Sequence, residues 1–216
     1  MSYLTDKLTM LPIVLIALIF HECAHGYVSS KLGDPTPRNS GRLTLNPMAH
    51  LDLVGTLLML LTGFGWAKPV PVNPSYYKNP KRGMAITAAA GPLMNLLLAF
   101  AAMIIYTLLF ILNYKTGLLG SAITPISAFV YRFASVNLCF MVFNLIPIPP
   151  LDGSRIATLI IPTKYYFKIM KYERYIILAV FALIIFGVLN VPLRFLTNLV
   201  MNGLGFIANL PFKMFI

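Results

Sequence analysis

The stretch Leu15–Asp34, LIALIFHECAHGYVSSKLGD, combines an apolar run with three ionisable side chains, those of His21, Glu22 and His25. The apolar run extends over about residues 9–30, which is long enough to cross the hydrocarbon core of a bilayer as an α-helix. Ionisable groups inside such a helix are costly and commonly mark a functional site. The stretch therefore predicts a transmembrane helix that carries chemistry.

The chain as a whole has the composition of a membrane protein. Of its 216 residues, 58% are hydrophobic and 11% are charged, whereas soluble domains have about 25% charged residues. Further apolar stretches lie at about residues 84–112, 122–146, 175–193 and 195–215. We expect an all-α polytopic membrane protein with about 4–6 transmembrane helices, folded as a single membrane-embedded domain over residues 1–216.

The segment 43–74, between the first two apolar stretches, has a different pattern. Its apolar centre, Leu53–Leu61, is too short to cross a bilayer and is flanked or interrupted by glycines. Proline and valine then alternate in KPVPV, which suits an edge strand. The pattern predicts a short re-entrant or β segment between the first and second spans.

The basic residues indicate how the chain is oriented. The net charge is +11, and most of the positive charge lies in residues 31–83 and 151–174, whereas residues 113–121 contain only Lys115. By the positive-inside rule, the first and third connections face the cytoplasm and the N-terminus lies outside. We therefore interpret the charge as orientation in the cell membrane, and we expect no nucleic-acid partner.

His21, Glu22 and His25 form the pattern H-E-x-x-H. On a helix, positions i and i+4 share one face, so that both imidazoles can meet one metal ion. Zinc binds imidazole nitrogen readily, and Glu22 is placed to act as a general base on water activated by the metal. The alternative is a coincidental polar patch packed inside a helix bundle, and the cost of three ionisable groups in lipid disfavours it.

His50, Asp52 and Asp152 are the candidates for a third metal ligand. Asp152 follows the third apolar stretch on the predicted cytoplasmic side, and His25 lies about 9 Å from the helix end on that same side. Charge placement thus brings Asp152 and the two histidines to a similar depth. Asp152 is the preferred ligand, and Asp52 is an alternative.

Several stretches carry a resemblance to a known family: HECAHGYVSSKLGD, AAAGPLMN, NLIPIPPLDG, GRLTLNPMAHLD and GWAKPVPVNP. Together they resemble the site-2 protease family of intramembrane zinc metalloproteases, and most closely its small bacterial and archaeal members without PDZ or CBS domains. The likeness runs from about residue 10 to residue 160. It implies a catalytic core at about residues 9–155, followed by C-terminal spans in 175–216.

The resemblance implies that His21, His25 and Asp152 bind one zinc ion and that Glu22 is the catalytic base. It also implies that Asn95 and Asn144 lie near the cleft.

Asn95, Asn144 and His50 are the candidates for substrate contact, and each has a structural alternative. Asn95 lies well inside the second span, where an amide needs a partner, and could hold a substrate or oxyanion or could join helices. Asn144 could contact the substrate or cap the Pro-rich turn. His50 could contact the substrate, support the ligands or only shape its own turn. Gly91, in AAAGP, indicates close helix packing.

The expected function is an intramembrane zinc metalloprotease that hydrolyses peptide bonds within or near transmembrane segments of membrane proteins, as in regulated intramembrane proteolysis. Its partners would be transmembrane protein substrates and the lipid bilayer. An unwound substrate could pair with an edge strand near residues 66–74. The alternative is a non-proteolytic zinc-containing membrane protein that binds transmembrane helices. A metal transporter is disfavoured, because the polar groups cluster on one side of the membrane.

Overall fold

The computed structural model describes residues 3–62, 65 and 67–212, and within them the chain folds into ten α-helices. They are α1 (Tyr3–Lys31), α2 (Thr36–Asn39), α3 (Pro47–His50), α4 (Leu53–Thr62), α5 (Pro80–Thr116), α6 (Ile123–Asn144), α7 (Asp152–Ala157), α8 (Thr163–Met170), α9 (Glu173–Ile185) and α10 (Asn190–Asn209). Short 3₁₀ turns lie at Pro74–Tyr76, Gly120–Ala122 and Leu210–Phe212. The predicted all-α class is confirmed.

Four helical stretches in the described part of the chain are long and apolar enough to cross a membrane. They are Thr9–Lys31, Pro80–Thr116, Gly120–Asn144 and Asn190–Phe212. The shortest have 23 residues, and at about 1.5 Å per residue they exceed the roughly 30 Å of the hydrocarbon core. The multi-pass prediction is therefore confirmed, at the lower end of the predicted range of spans.

The predicted span at 175–193 is wrong, because the apolar run contains a helix break. Helix α9 has 13 residues and ends at Ile185, so that it is only about 20 Å long. Gly187 adopts the left-handed conformation, with φ of 71°, and α10 begins at Asn190. Glycine takes up this conformation at little cost and ends the helix even though the hydrophobicity continues. The last predicted span, 195–215, corresponds to the crossing Asn190–Phe212.

The segment between α1 and α5 contains a helix and hardly any β structure. Helix α4 has ten residues and is too short, at about 15 Å, to cross a bilayer. Asp52 caps it, because its Oδ1 accepts the N–H of Gly55 at 2.8 Å. Among the described residues, one β bridge is found, between Leu51 and Ala67, and residues 68–73 have no regular secondary structure. We call residues 67–73 the extended segment, because Pro69 and Pro71 favour extended backbone at the residues before them. Asp52, the alternative metal ligand, is thus a helix cap.

Helix α5 is the centre of the bundle, with contacts to α1, α6, α7 and α10. Its buried side chains in the first half are small, including Ala85, Ala88 and Ala90. In its second half, Ala99 and other buried residues form a core with α6 and α10. Small side chains let helices approach closely. The crossing of α1 over α5 is therefore tight, and the buried polar residues His21, Thr87 and Asn95 lie on these two helices.

Candidate active site

Two imidazoles and one carboxylate converge where α1, α5 and the start of α7 meet. The rings of His21 and His25 stand edge to face, with centroids 4.6 Å apart. Oδ2 of Asp152 lies 3.1 Å from Nε2 of His21 and 3.2 Å from Nε2 of His25. The structure thus brings together the three predicted ligands, and their group includes neither His50 nor Asp52.

Asp152 reaches the histidines because the chain turns sharply after α6. This helix ends at Asn144, and Asp152 opens α7 after the Pro-rich turn. Gly153 packs tightly on that turn: a Cβ there would lie 2.5 Å from the carbonyl oxygen of Ile146 and would also collide with that of Leu145. The glycine therefore serves a close backbone approach, and a side chain at this position would displace Asp152.

The second nitrogen of each imidazole is held by an oxygen atom. Nδ1 of His25 donates to the main-chain oxygen of Thr87 at 2.7 Å, and Nδ1 of His21 donates to Oδ1 of Asn95 at 2.6 Å. Because these oxygens only accept, each Nδ1 carries a hydrogen, and in the neutral imidazole each Nε2 then presents a lone pair. Outer contacts of this kind orient the histidines that bind metals.

The residues fit one zinc ion. The two Nε2 atoms lie 3.1 and 3.2 Å from one carboxylate oxygen, and with neutral imidazoles these three atoms form a donor set that can bind a cation. In a tetrahedral zinc site with bonds of about 2.0–2.1 Å, neighbouring ligand atoms lie about 3.3 Å apart. Gly91 of α5 packs directly against the two imidazoles, since a Cβ there would lie 2.5 Å from Nε2 of both histidines. Gly91 was predicted to allow close helix packing. Its lack of a side chain also leaves room for the imidazoles of His21 and His25.

Two opposing effects act on the carboxyl group of Asp152. Burial raises its pKa, but when no metal is bound and the imidazoles of His21 and His25 are protonated, their hydrogen bonds and charge outweigh burial and hold the pKa well below its usual value. Asp152 is consequently ionised at neutral pH, which is the form that binds a metal.

The carboxylate of Glu22 contacts the extended segment 67–73. Its Oε2 accepts the main-chain N–H of Val70 at 2.9 Å. Val70 lies between Pro69 and Pro71, which have no N–H and restrict the backbone to extended conformations. One amide hydrogen on a stiff segment thus fixes one oxygen of the predicted base.

Buried Arg42 ties this segment to the loop before α4. Its guanidinium donates to the main-chain oxygen of Ala49 and, at 3.4 Å, to those of Lys68 and Pro69. The N–H of Lys68 donates to the main-chain oxygen of His50. With Val70 bound to Glu22 and prolines at 69 and 71, no main-chain N–H between residues 68 and 71 remains for a substrate. The described contacts therefore disfavour the predicted edge-strand pairing over these residues.

Asn95 lies at the site but has no hydrogen to offer a substrate. Its side chain is fully buried, Oδ1 accepts from His21, and Nδ2 donates to Ala17 O at 3.2 Å and to Oδ1 of Asn137 at 2.9 Å. These bonds favour the alternative in which Asn95 joins helices, and contact with a substrate or the oxyanion stays a prediction. Nδ2 of Asn144 donates to Phe140 O within α6, so contact with a substrate stays a prediction for this residue.

His50 belongs to the loop rather than to the metal group. It is 1% exposed, and its Nε2 donates to the main-chain oxygen of Thr44 at 2.7 Å. The thiol of Cys23 donates to the same oxygen at 2.9 Å. These contacts favour the interpretation in which His50 shapes its turn.

Sequence reasoning missed Asn137 and Arg42, and it assigned Gly91 to packing alone. Asn137 is an amide inside an apolar run, and the argument that singled out Asn95 applies to it equally. Nothing in the sequence indicates that Arg42 is buried, because it lies in a polar loop.

A helix-borne H-E-x-x-H whose histidines meet a carboxylate from another helix defines a metallopeptidase type of site, here in a polytopic membrane protein. The family profile "Peptidase family M50" matches residues 111–188, which include Asp152. The chain is 40% identical over 177 residues to "Putative zinc metalloprotease YwhC" of Bacillus subtilis, covering 80% of each chain. It thus belongs to peptidase family M50, the site-2 proteases, which are membrane zinc metalloproteases.

More distant relatives have names of the same kind. "Putative zinc metalloprotease MJ0611" of Methanocaldococcus jannaschii is 30% identical over 161 residues, which are 72% of this chain and 74% of that protein. "Putative zinc metalloprotease Rip2" of Mycobacterium tuberculosis is 29% identical over 148 residues, which are 64% of this chain and 52% of that protein. No solved structure matches the chain at a significant level.

Proposed function

We propose that this chain is an intramembrane protease that uses one zinc ion to hydrolyse peptide bonds within or near transmembrane segments of membrane proteins, as in regulated intramembrane proteolysis. The observation that carries the proposal is the convergence of two imidazoles and one carboxylate within 4.8 Å of one another. Two of these ligands lie on a helix that is long and apolar enough to cross a membrane. Hydrolysis would therefore take place below the membrane surface.

The site lies toward the cytoplasmic side in this proposal. His25 is six residues from the end of α1 at Lys31, about 9 Å along the helix. Asp152 enters from the connection that follows α6, and both connections are rich in lysine and arginine. The positive-inside rule then places the N-terminus outside the cell membrane and the metal ligands near its inner face.

The protein's own residues would bind the metal and move the proton. His21, His25 and Asp152 would hold zinc, which when bound supplies a Lewis acid and makes a water molecule more acidic. The N–H of Val70 holds Oε2 of Glu22, which leaves Oε1 to take a proton from the attacking water. Glu22 then returns this proton to the nitrogen of the leaving amine, so that it acts first as base and then as acid.

The replacement of Glu22 by glutamine tests the proposal. The chain has only two glutamates, and Glu173, at the start of α9, provides the matched control. In liposomes with a helical test substrate, Glu22→Gln should keep its zinc and lose about 10²- to 10⁴-fold in cleavage rate. Glu173→Gln should retain both zinc and activity.

Two outcomes would contradict this assignment. Cleavage retained by Glu22→Gln would refute the role of Glu22 as the base. A wild-type protein that binds zinc but cleaves none of a range of transmembrane substrates would favour the alternative, a zinc-containing protein that only binds transmembrane helices.

A further inference from the structure

Asn137 of α6 is a fully buried amide with no place in the mechanism above. Its hydrogen bonds go to Asn95 and Phe133 rather than to Glu22 or a metal ligand, yet it is linked to His21 through Asn95. We propose that Asn137 is a positioning residue: it orients the amide of Asn95, and Asn95 in turn fixes the tautomer of His21 that presents Nε2 to the metal. This inference rests on the proposed zinc site.

The orientation of Asn137 is set by its own helix. Nδ2 of Asn137 donates to the main-chain oxygen of Phe133 at 2.9 Å. A carbonyl oxygen only accepts, so the amino group must face Phe133 and Oδ1 must face Asn95. Helix α6 thus determines which end of this amide points toward α5.

The orientation of Asn95 follows from its two acceptors. Its Nδ2 lies 2.9 Å from Oδ1 of Asn137 and 3.2 Å from the main-chain oxygen of Ala17 on α1. If the amide were reversed, its oxygen would face two other oxygens at these distances with no hydrogen between them. Nδ2 must therefore face both acceptors, and Oδ1 is left to face Nδ1 of His21 at 2.6 Å.

The series of hydrogen bonds from Phe133 through Asn137 and Asn95 ends at His21 and sets its tautomer. Because Oδ1 of Asn95 can only accept, Nδ1 of His21 carries the hydrogen and Nε2 keeps its lone pair for the metal. The second histidine needs no such side chain, because its Nδ1 donates to the main-chain oxygen of Thr87. The orientation of His21 thus depends on two side-chain amides, whereas that of His25 depends on the backbone.

The competing explanation is that Asn137 only joins helices. Buried amides in membrane helices commonly form such bonds. Thr107 of α5 provides the comparison, since its Oγ1 donates to Oδ1 of Asn209 on α10 at 2.9 Å, away from the histidines. A bond between helices should contribute to stability alone, whereas a positioning residue should also affect the affinity for zinc.

The test measures zinc affinity by competition with a chelating dye, and thermal unfolding without zinc, on the full chain in detergent. Asn137→Leu removes the acceptor for Asn95 and should weaken zinc binding about 10- to 100-fold. Asn137→Asp should restore near wild-type affinity, because a neutral carboxylic acid can donate to Phe133 O and accept from Asn95. Thr107→Val should lower stability and leave zinc affinity unchanged.

A double-mutant cycle shows whether Asn137 acts through Asn95. If it does, Asn95→Leu combined with Asn137→Leu should lose no more zinc affinity than Asn95→Leu alone. If Asn137→Leu does not fold, Asn137→Ser replaces it, because a shorter polar side chain cannot reach Asn95 but can still bond to its own helix.

The outcomes separate this inference from the proposed function. Zinc affinity of Asn137→Leu equal to that of the wild type would overturn the positioning role while leaving the protease intact. Weaker zinc binding would support the positioning role even if no substrate were cleaved. A wild-type protein that binds no zinc would overturn both.

Discussion

Replacement of Gly91 by alanine offers the sharpest test of the metal centre. A Cβ at this position would lie 2.5 Å from Nε2 of His21 and 2.5 Å from Nε2 of His25. Ordinary van der Waals contact with a Cβ begins at 3.4 Å, so each nitrogen must move away by about 0.9 Å if α5 keeps its place. The methyl group thus acts on two of the three ligands.

The expected effect is large, because metal–ligand distances vary by only about 0.2 Å. A displacement of about 0.9 Å exceeds this tolerance several-fold, and a change in an outer contact alone costs about 10- to 100-fold in metal affinity. We therefore expect Gly91→Ala to lose at least about 100-fold in zinc affinity, or about 2.8 kcal/mol. Competition with a chelating dye measures this loss, and cleavage of a helical substrate should fall in parallel.

Gly203 of α10 supplies the matched control, since a Cβ there would meet no atom within 4 Å. Gly203→Ala should keep its zinc and gain about 0.5–1 kcal/mol in stability, because alanine favours the helix. If Gly91→Ala bound zinc as tightly as the wild type, the three residues would not form the metal site in the geometry described.

Two other predictions concern the extended segment. Val70→Pro removes the N–H that meets Glu22, and steady-state kinetics should show kcat lower by about 10- to 100-fold at unchanged zinc content, since a hydrogen bond to a charged group contributes about 1.5–3 kcal/mol; full activity would refute the role of this contact. Burial raises the pKa of Asp34, but the N–H groups of Asn73 and Thr36 and the hydroxyl of Ser29 outweigh burial and lower it. The ionised form is thus stabilised above the ordinary pKa of 3.8, and Asp34→Asn should cost about 1–3 kcal/mol at neutral pH in thermal unfolding. This deficit should shrink from about pH 5 to about pH 3, and a deficit independent of pH would contradict the assignment.

The main features of the metal site could be predicted from the sequence because they follow from local rules. The spacing of His21 and His25 places both on one face of any helix. The placement of lysine and arginine predicts which ends of the spans share a side, and that prediction was enough to select Asp152. Hydrophobicity also located three of the membrane-length helical stretches, Thr9–Lys31, Pro80–Thr116 and Gly120–Asn144, to within a few residues of their ends.

The features that could not be predicted are those that hydrophobicity does not report. The break at Gly187 depends on one glycine adopting a left-handed conformation, and the apolar run on either side does not reveal it. Asn95 was predicted to lie near the site, but the sequence does not show which neighbours use its two amide hydrogens. That question involves residues as far apart as Ala17 and Asn137.

By itself, then, the sequence predicted several membrane-spanning helices and singled out the three residues, His21, His25 and Asp152, that the structure brings together. Only the tertiary structure decided that Gly91 leaves room beside the imidazoles, that Val70 holds Glu22, and that Asn95 serves His21. The physical reason is that periodicity and charge act along the chain. Close approach and hydrogen-bond partners, by contrast, depend on how α1, α5 and α6 cross, and no repeat in the sequence encodes these crossings.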